Sequence, residues 1–90
     1  MVIFSVIFFN FVSDKFVQSH HKLFFKYDDA RNMVEEHLQE EAKYFSDADF
    51  KYQEKNYENN NLIYDVVYEH VSIRGNIVKN KIEIRRDYVY

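Results

Sequence analysis

The side chains best suited to proton transfer or metal ligation near neutral pH are four histidines: the adjacent His20 and His21, and the isolated His37 and His70. Their spacing argues against both uses. Neighbouring histidines in a strand point to opposite faces, and no two stand at the i, i+4 spacing that lets one helix face hold an ion. Cysteine is absent, which removes thiolate nucleophiles, thiolate metal sites and disulfides together. The single glycine, Gly75, is too few for a phosphate-cradling loop, and no glycine-flanked serine elbow exists. The expectation is a protein with no catalytic residues, no metal and no cofactor.

Two charged surfaces carry the remaining chemistry. Between Asp28 and Asp49 stand eight acids against two bases. A helix there shows Glu35, Glu36, Glu40 and Glu41 outward, a row suited to a basic partner and able to imitate a phosphate backbone. The second surface follows from Gly75-Asn76 read as a two-residue hairpin turn. That turn sets Ile73 opposite Val78, Val67 opposite Ile84 and Asp65 opposite Arg86 on the core side. The other side then collects Tyr64 and Tyr68 with Lys79, Lys81 and Arg85, and a four-residue Asn-rich loop adds Lys51, Lys55 and Tyr57. Tyrosines interleaved with cations are one route to single-stranded nucleic acid. Glu83 and Asp87 on the same side weigh against it, and tyrosine and arginine are equally the anchors of protein interfaces. Asp65 and Glu69 fall on the inner side in this register, where Arg86 could pair with Asp65 and Glu69 has no evident partner.

The elements that position these residues begin with Val2 to Val12. At the two-residue period of a strand, Val2, Phe4, Val6, Phe8 and Val12 share one side, and Ile3, Ile7, Phe9 and Phe11 the other. Both sides are apolar, as in a central strand covered on both faces. Ser13-Asp14 reads as a turn into a second strand ending near Lys26, with a helix capped by Ser13 as the competing assignment. Ala30, Val34, Leu38, Ala42 and Phe45 recur at helical spacing over Asp28 to Phe45, with Asp28-Asp29 as cap and dipole charge. Strand-like segments near Phe50–Tyr57, Leu62–Ile73 and Ile77–Tyr88 follow, separated by the Glu58–Asn61 loop and the Gly75-Asn76 turn. The sum is one α+β domain over residues 1–90: a single antiparallel sheet of four to five strands with one amphipathic helix packed on one face, in ββαβββ or βαβββ order.

Composition bounds the function. Nine Phe, eight Tyr and 47% hydrophobic residues suffice for a core despite 30% charge. A net charge of −3 opposes generalised nucleic-acid affinity. The opening run is shorter than the roughly 20 apolar residues of a membrane span, and it carries neither the basic lead nor the small-residue cleavage site of a signal peptide. A cytoplasmic setting is expected, the host cytoplasm if the source is viral. Residues with AT-rich codons abound, pointing to an AT-rich genome. One helix cannot cover two faces of a sheet, so the leading expectation is a non-catalytic module that binds another macromolecule by protein contact. A small acidic α+β chain of this kind resembles, in format, phage-encoded inhibitors of host defence such as anti-CRISPR proteins, which implies a nuclease or nucleoprotein complex as partner. The alternatives are single-stranded nucleic-acid binding through the meander and a structural homodimer that closes its own sheet face.

Overall fold

The computed structural model describes residues 1–44, 51–58, 60–71 and 74–88. Its elements run β1 (Val2–Val12), β2 (Lys15–Phe24), α1 (Tyr27–Tyr44), β3 (Lys51–Asn56), β4 (Leu62–Val71) and β5 (Ile77–Tyr88). The five strands form one antiparallel sheet in the order β2-β1-β5-β4-β3, so the α+β expectation holds in its ββαβββ form. First and last strands lie side by side in the middle, Val6 opposite Ile84 and Phe8 opposite Ile82. Among the described residues no helix is long and apolar enough to cross a membrane.

The residues 13–26 resolve in favour of the strand. Val12 pairs with Lys15, leaving Ser13 and Asp14 as a two-residue turn with φ of 50° and 66°. Two successive positive angles match a type I′ hairpin, whose twist suits antiparallel strands. Neither residue is glycine, so this backbone carries strain. The Ser13 N–H donates to the Ile77 carbonyl at 2.9 Å, tying the turn to β5. A bulge at Val17, where Asn10 faces Gln18 but Phe11 faces Phe16, blurs the alternation that would have marked β2 in the sequence.

The helix lies across one face of the sheet. Its Ala30, Val34 and Leu38, spaced four apart, are buried with Val6, Phe8, Tyr64, Val66, Tyr68, Ile82 and Ile84, and Phe4, Phe24, Tyr27 and Met33 pack around them. Full burial of a side chain the size of Val34 or Leu38 contributes about 1.5–3 kcal/mol, and packing of this kind supplies most of the stability of a helix in a folded protein. The cap differs from expectation. The Ala30 N–H bonds the Lys26 carbonyl at 3.3 Å, so Asp28 and Asp29 sit inside the first turn, where their negative charge is favourable at the positive end of the helix dipole, as expected. Phe45, expected on the apolar stripe, lies outside the described residues.

The face assigned to β4 is corrected by the register. Tyr64 pairs with Ile84, Val66 with Ile82 and Val71 with Ile77, so the connection takes residues 72–76 and not two. Gly75 keeps the expected positive φ, at 85°. An odd-length connection reverses the parity of one strand against the other. On β5 the even-numbered residues face the helix, as expected. On β4 the core side is Tyr64, Val66 and Tyr68, while Asp65, Val67 and Glu69 face away.

Candidate functional site

The helix covers one face, and no described element covers the other. β1 contributes Ile3, Ile7, Phe9 and Phe11 to that open face, all half-buried between neighbouring strands. The edge strand β2 adds Phe16 and Leu23, 56% and 60% exposed. Phe9, Phe11 and Phe16 make an aromatic cluster, with ring centroids 5.7–6.4 Å apart. Ser5, the small residue between Ile3 and Ile7, is buried opposite Arg85 and donates to Asp87 Oδ2 at 3.4 Å. Contiguous apolar surface of this kind is what marks an interaction site.

Beside the apolar row lies a charged one. β5 presents Lys79, Lys81, Glu83, Arg85 and Asp87, which occupy the positions opposite Phe11, Phe9, Ile7, Ser5 and Ile3. Glu83 is buried and accepts two hydrogen bonds from Arg85 Nη2, both 3.1 Å. Its cross-strand neighbour is Asp65, a like-charge pairing that would be unfavourable alone. Asp65 Oδ2 accepts from the Tyr57 hydroxyl at 2.8 Å, and that bond pushes the Tyr57 pKa up. Glu69 stands opposite Lys79. The two acids placed inside by the sequence reading therefore sit on the open face, and Arg86, on the helix side opposite Phe4, is no partner of Asp65.

Of the predicted sheet-face residues, Lys55, Lys79, Lys81 and Arg85 share the open face, and Lys55 Nζ lies 5.0 Å from the Tyr57 ring. Lys51 stands at the register position opposite Glu69, and its side chain lies outside the described residues. Tyr64 and Tyr68 do not belong with them. Tyr64 is 0% exposed and Tyr68 3%, so neither ring offers a face to a base. The cause is the reversed parity of β4. Arg31 Cζ sits 4.1 Å over the Tyr64 ring. The Tyr64 hydroxyl, Arg31 Nη1 and Arg86 Nε are buried without a hydrogen-bond partner, and burial pushes the Tyr64 pKa far above its ordinary value.

The acidic helix row divides. Glu36 and Glu40 are exposed, Glu40 taking a 2.9 Å ion pair from Lys43. Glu35 is paired with Arg31 at 3.0 Å. Glu41 turns partly inward and stands 3.4 Å from His37 Nε2.

That last contact belongs to a cleft of about 130 Å³ under the second half of the helix, lined by Asn10, His20, His37, Glu41, Tyr68 and Asn80 among others. His37 Nε2 lies 3.1 Å from the Tyr68 hydroxyl, and Asn10 Nδ2 donates to Asn80 Oδ1 at 2.8 Å. His20 stacks on Phe8, centroids 4.5 Å apart, and His37 tilts against the same ring at 4.9 Å. Burial lowers the His37 pKa, Glu41 opposes that and His20 adds to it. Burial and Glu41 hold Tyr68 protonated far above its ordinary range. The lowered pKa favours the neutral imidazole of His37, which lies beside a Tyr68 phenol that stays protonated. Among the described residues no group of three His, Asp or Glu is arranged to hold a metal ion. His20 and His21 face opposite sides of β2, opposite Phe8 and Ile7, as the strand period requires. The meeting of His37 with Tyr68 was hidden in the sequence by the same parity error. Compared with protein-family models, curated proteins and solved structures, the chain matches none.

Proposed function

We propose that this chain is a non-catalytic protein-association module, which works by burying the open face of its sheet against another polypeptide. The observation that carries this reading is the row Ile3, Ile7, Phe9 and Phe11, extended by Phe16 and Leu23, with no described element over it. Among the described side chains the charge beside that row is matched, Lys55, Lys79, Lys81 and Arg85 against Asp65, Glu69, Glu83 and Asp87. A balanced, alternating surface suits a protein interface. It suits a nucleic-acid backbone poorly, since phosphate affinity needs an excess of cations and stacking needs exposed rings, whereas the tyrosines are inside. In this reading Glu36 and Glu40 stay exposed on the far side of the helix, toward any basic partner such as a nuclease or nucleoprotein complex. The setting is the cytoplasm, where a chain without cysteine needs no oxidising environment.

The test compares the wild-type chain with an Ile7→Lys variant, by affinity capture in buffer alone and in lysate of the cells that encode it. Association made by the wild type, with itself or another protein, is lost in the variant while circular dichroism is unchanged. Association that survives the substitution in full, or tight salt-dependent binding of single-stranded RNA or DNA, overturns the reading.

A further inference from the structure

We infer that the polypeptide that covers the open face is a second copy of this chain, packed sheet on sheet about a twofold axis that crosses the strands between Glu83 and Arg85. This rests on the association reading above and adds the identity and register of the occupant. The argument is the order of charges on β5. Its open-face residues run Lys79, Lys81, Glu83, Arg85, Asp87. A twofold axis in the interface plane, perpendicular to the strands, lays each strand antiparallel over its own copy. Placed at the level of residue 84, it sets Glu83 over the partner's Arg85 and Lys81 over the partner's Asp87, each pair occurring twice.

Shifting the axis by one residue destroys the match, and shifting it by two keeps only one kind of attractive pair, Glu83 with Lys81 about residue 82 or Arg85 with Asp87 about residue 86. Centred on Glu83, it stacks Glu83 on its own copy and Lys81 on Arg85. Centred on Arg85, it stacks Arg85 on itself and Glu83 on Asp87. Like charges so placed cost affinity and exclude the register. The same axis acts on β1 through its pairing with β5, in which Val6 faces Ile84. It sets Ile3 over the partner's Phe9 and Ser5 over the partner's Ile7, so the register that matches charge also lays the apolar row on itself.

The area is adequate. Five strands about 4.8 Å apart and about ten residues long at about 3.4 Å each give a face of roughly 800 Å², the share per partner of a standard stable interface. Aligned sheets cross at about 30°, so the pairs nearest the axis matter most, and these are the four described.

Sedimentation velocity and native mass spectrometry provide the test, over about 1–100 µM, the weak end for an interface of this size. The wild type is a dimer. Lys81→Asp and Asp87→Lys each weaken it about tenfold or more, because each turns two attractive contacts into repulsive ones. An equimolar mixture of the two variants regains dimers, as heterodimers, and the double variant regains homodimers. A change that merely damaged the monomer could not be rescued by mixing. A wild type that stays monomeric, single variants that dimerise undiminished, or a mixture that fails to associate each overturn the inference. Should such a monomer still bind another protein through Ile7, the association reading stands and only its occupant is wrong.

Discussion

Val66 and Val67 are adjacent, chemically identical and in the same strand, yet Val66 is 0% exposed beneath the helix while Val67 lies half-buried on the open face. Truncating each to alanine isolates the effect of facing. Val66→Ala removes about 1.6 kcal/mol of transfer free energy. The closed surroundings of Val34, Ile82 and Ile84 leave a cavity that adds about 1 kcal/mol. Val67→Ala removes about half the transfer term and leaves no cavity, because its space opens to solvent, for a cost near 0.8 kcal/mol. The lost strand preference, up to about 1 kcal/mol, is common to both and cancels. The difference is therefore about 1.5–2 kcal/mol, or roughly 10 °C in Tm for a domain of this size. Urea unfolding followed by tyrosine fluorescence measures it, at two protein concentrations so that association through the open face is visible as a concentration dependence. Equal costs, or a larger cost at Val67 at the lower concentration, would refute the five-residue connection and restore a two-residue turn at Gly75-Asn76.

Other outcomes follow from named contacts. Tyr64→Phe removes a buried hydroxyl that has no hydrogen-bond partner, so thermal unfolding should show it unchanged or up to about 1 kcal/mol more stable, whereas Tyr68→Phe, which breaks the contact with His37, costs about 1 kcal/mol. Replacing Ser13-Asp14 by Asn-Gly relieves two positive φ angles and raises stability by about 0.5–1.5 kcal/mol in urea titrations. The lowered His37 pKa means that, between it and the ordinary value near 6.5, the unfolded chain binds more protons than the folded one. The contribution is complete above that ordinary value and declines as pH falls through it, so Tm should drop on acidification, and His37→Gln should flatten that slope in a pH series of melts.

Long, strongly patterned segments were legible: β1 and β5 have the bounds their residues announce, and the stripe of Ala30, Val34 and Leu38 places α1 and its buried side. What failed was parity in one strand. A sheet's facing is a binary variable set by connection length. The odd row of β4 carries Asp65 and Glu69 whereas Tyr64, Val66 and Tyr68 carry no charge, so the strand did signal its inner row, through an inward Glu69 with no evident partner, and the turn composition outweighed it. Gly75-Asn76 has the composition of a tight turn, and it lured the register by an odd number of residues. The two-residue hairpin lies at Ser13-Asp14, which the turn preference of Ser and Asp did announce, although without glycine its positive φ angles went unannounced. The misplaced sheet residues Tyr64, Tyr68, Asp65 and Glu69 all descend from that one parity, whereas Glu41 turns inward on α1 through its contact with His37.

The reversal strengthens the case for association. Had Tyr64 and Tyr68 lain outward, the open face would be an amphipathic, cation-rich surface content in water. With them inward, the helix-facing layer is closed, Val6, Val34, Tyr64, Val66 and Ile84 all reaching 0% exposure. No room remains on that side for Ile3, Ile7, Phe9 or Phe11. Strand alternation forbids these residues from joining the core without expelling Val6 and Phe8 from it. No rearrangement that keeps the β1 pairing can therefore hide both rows beneath one helix. In the proposed association the second layer comes from outside the sheet and α1, and the charge order of β5 specifies what it presents: a cation over Glu83, an acid over Arg85, an apolar side chain over Ile3 and a small one over Ile7.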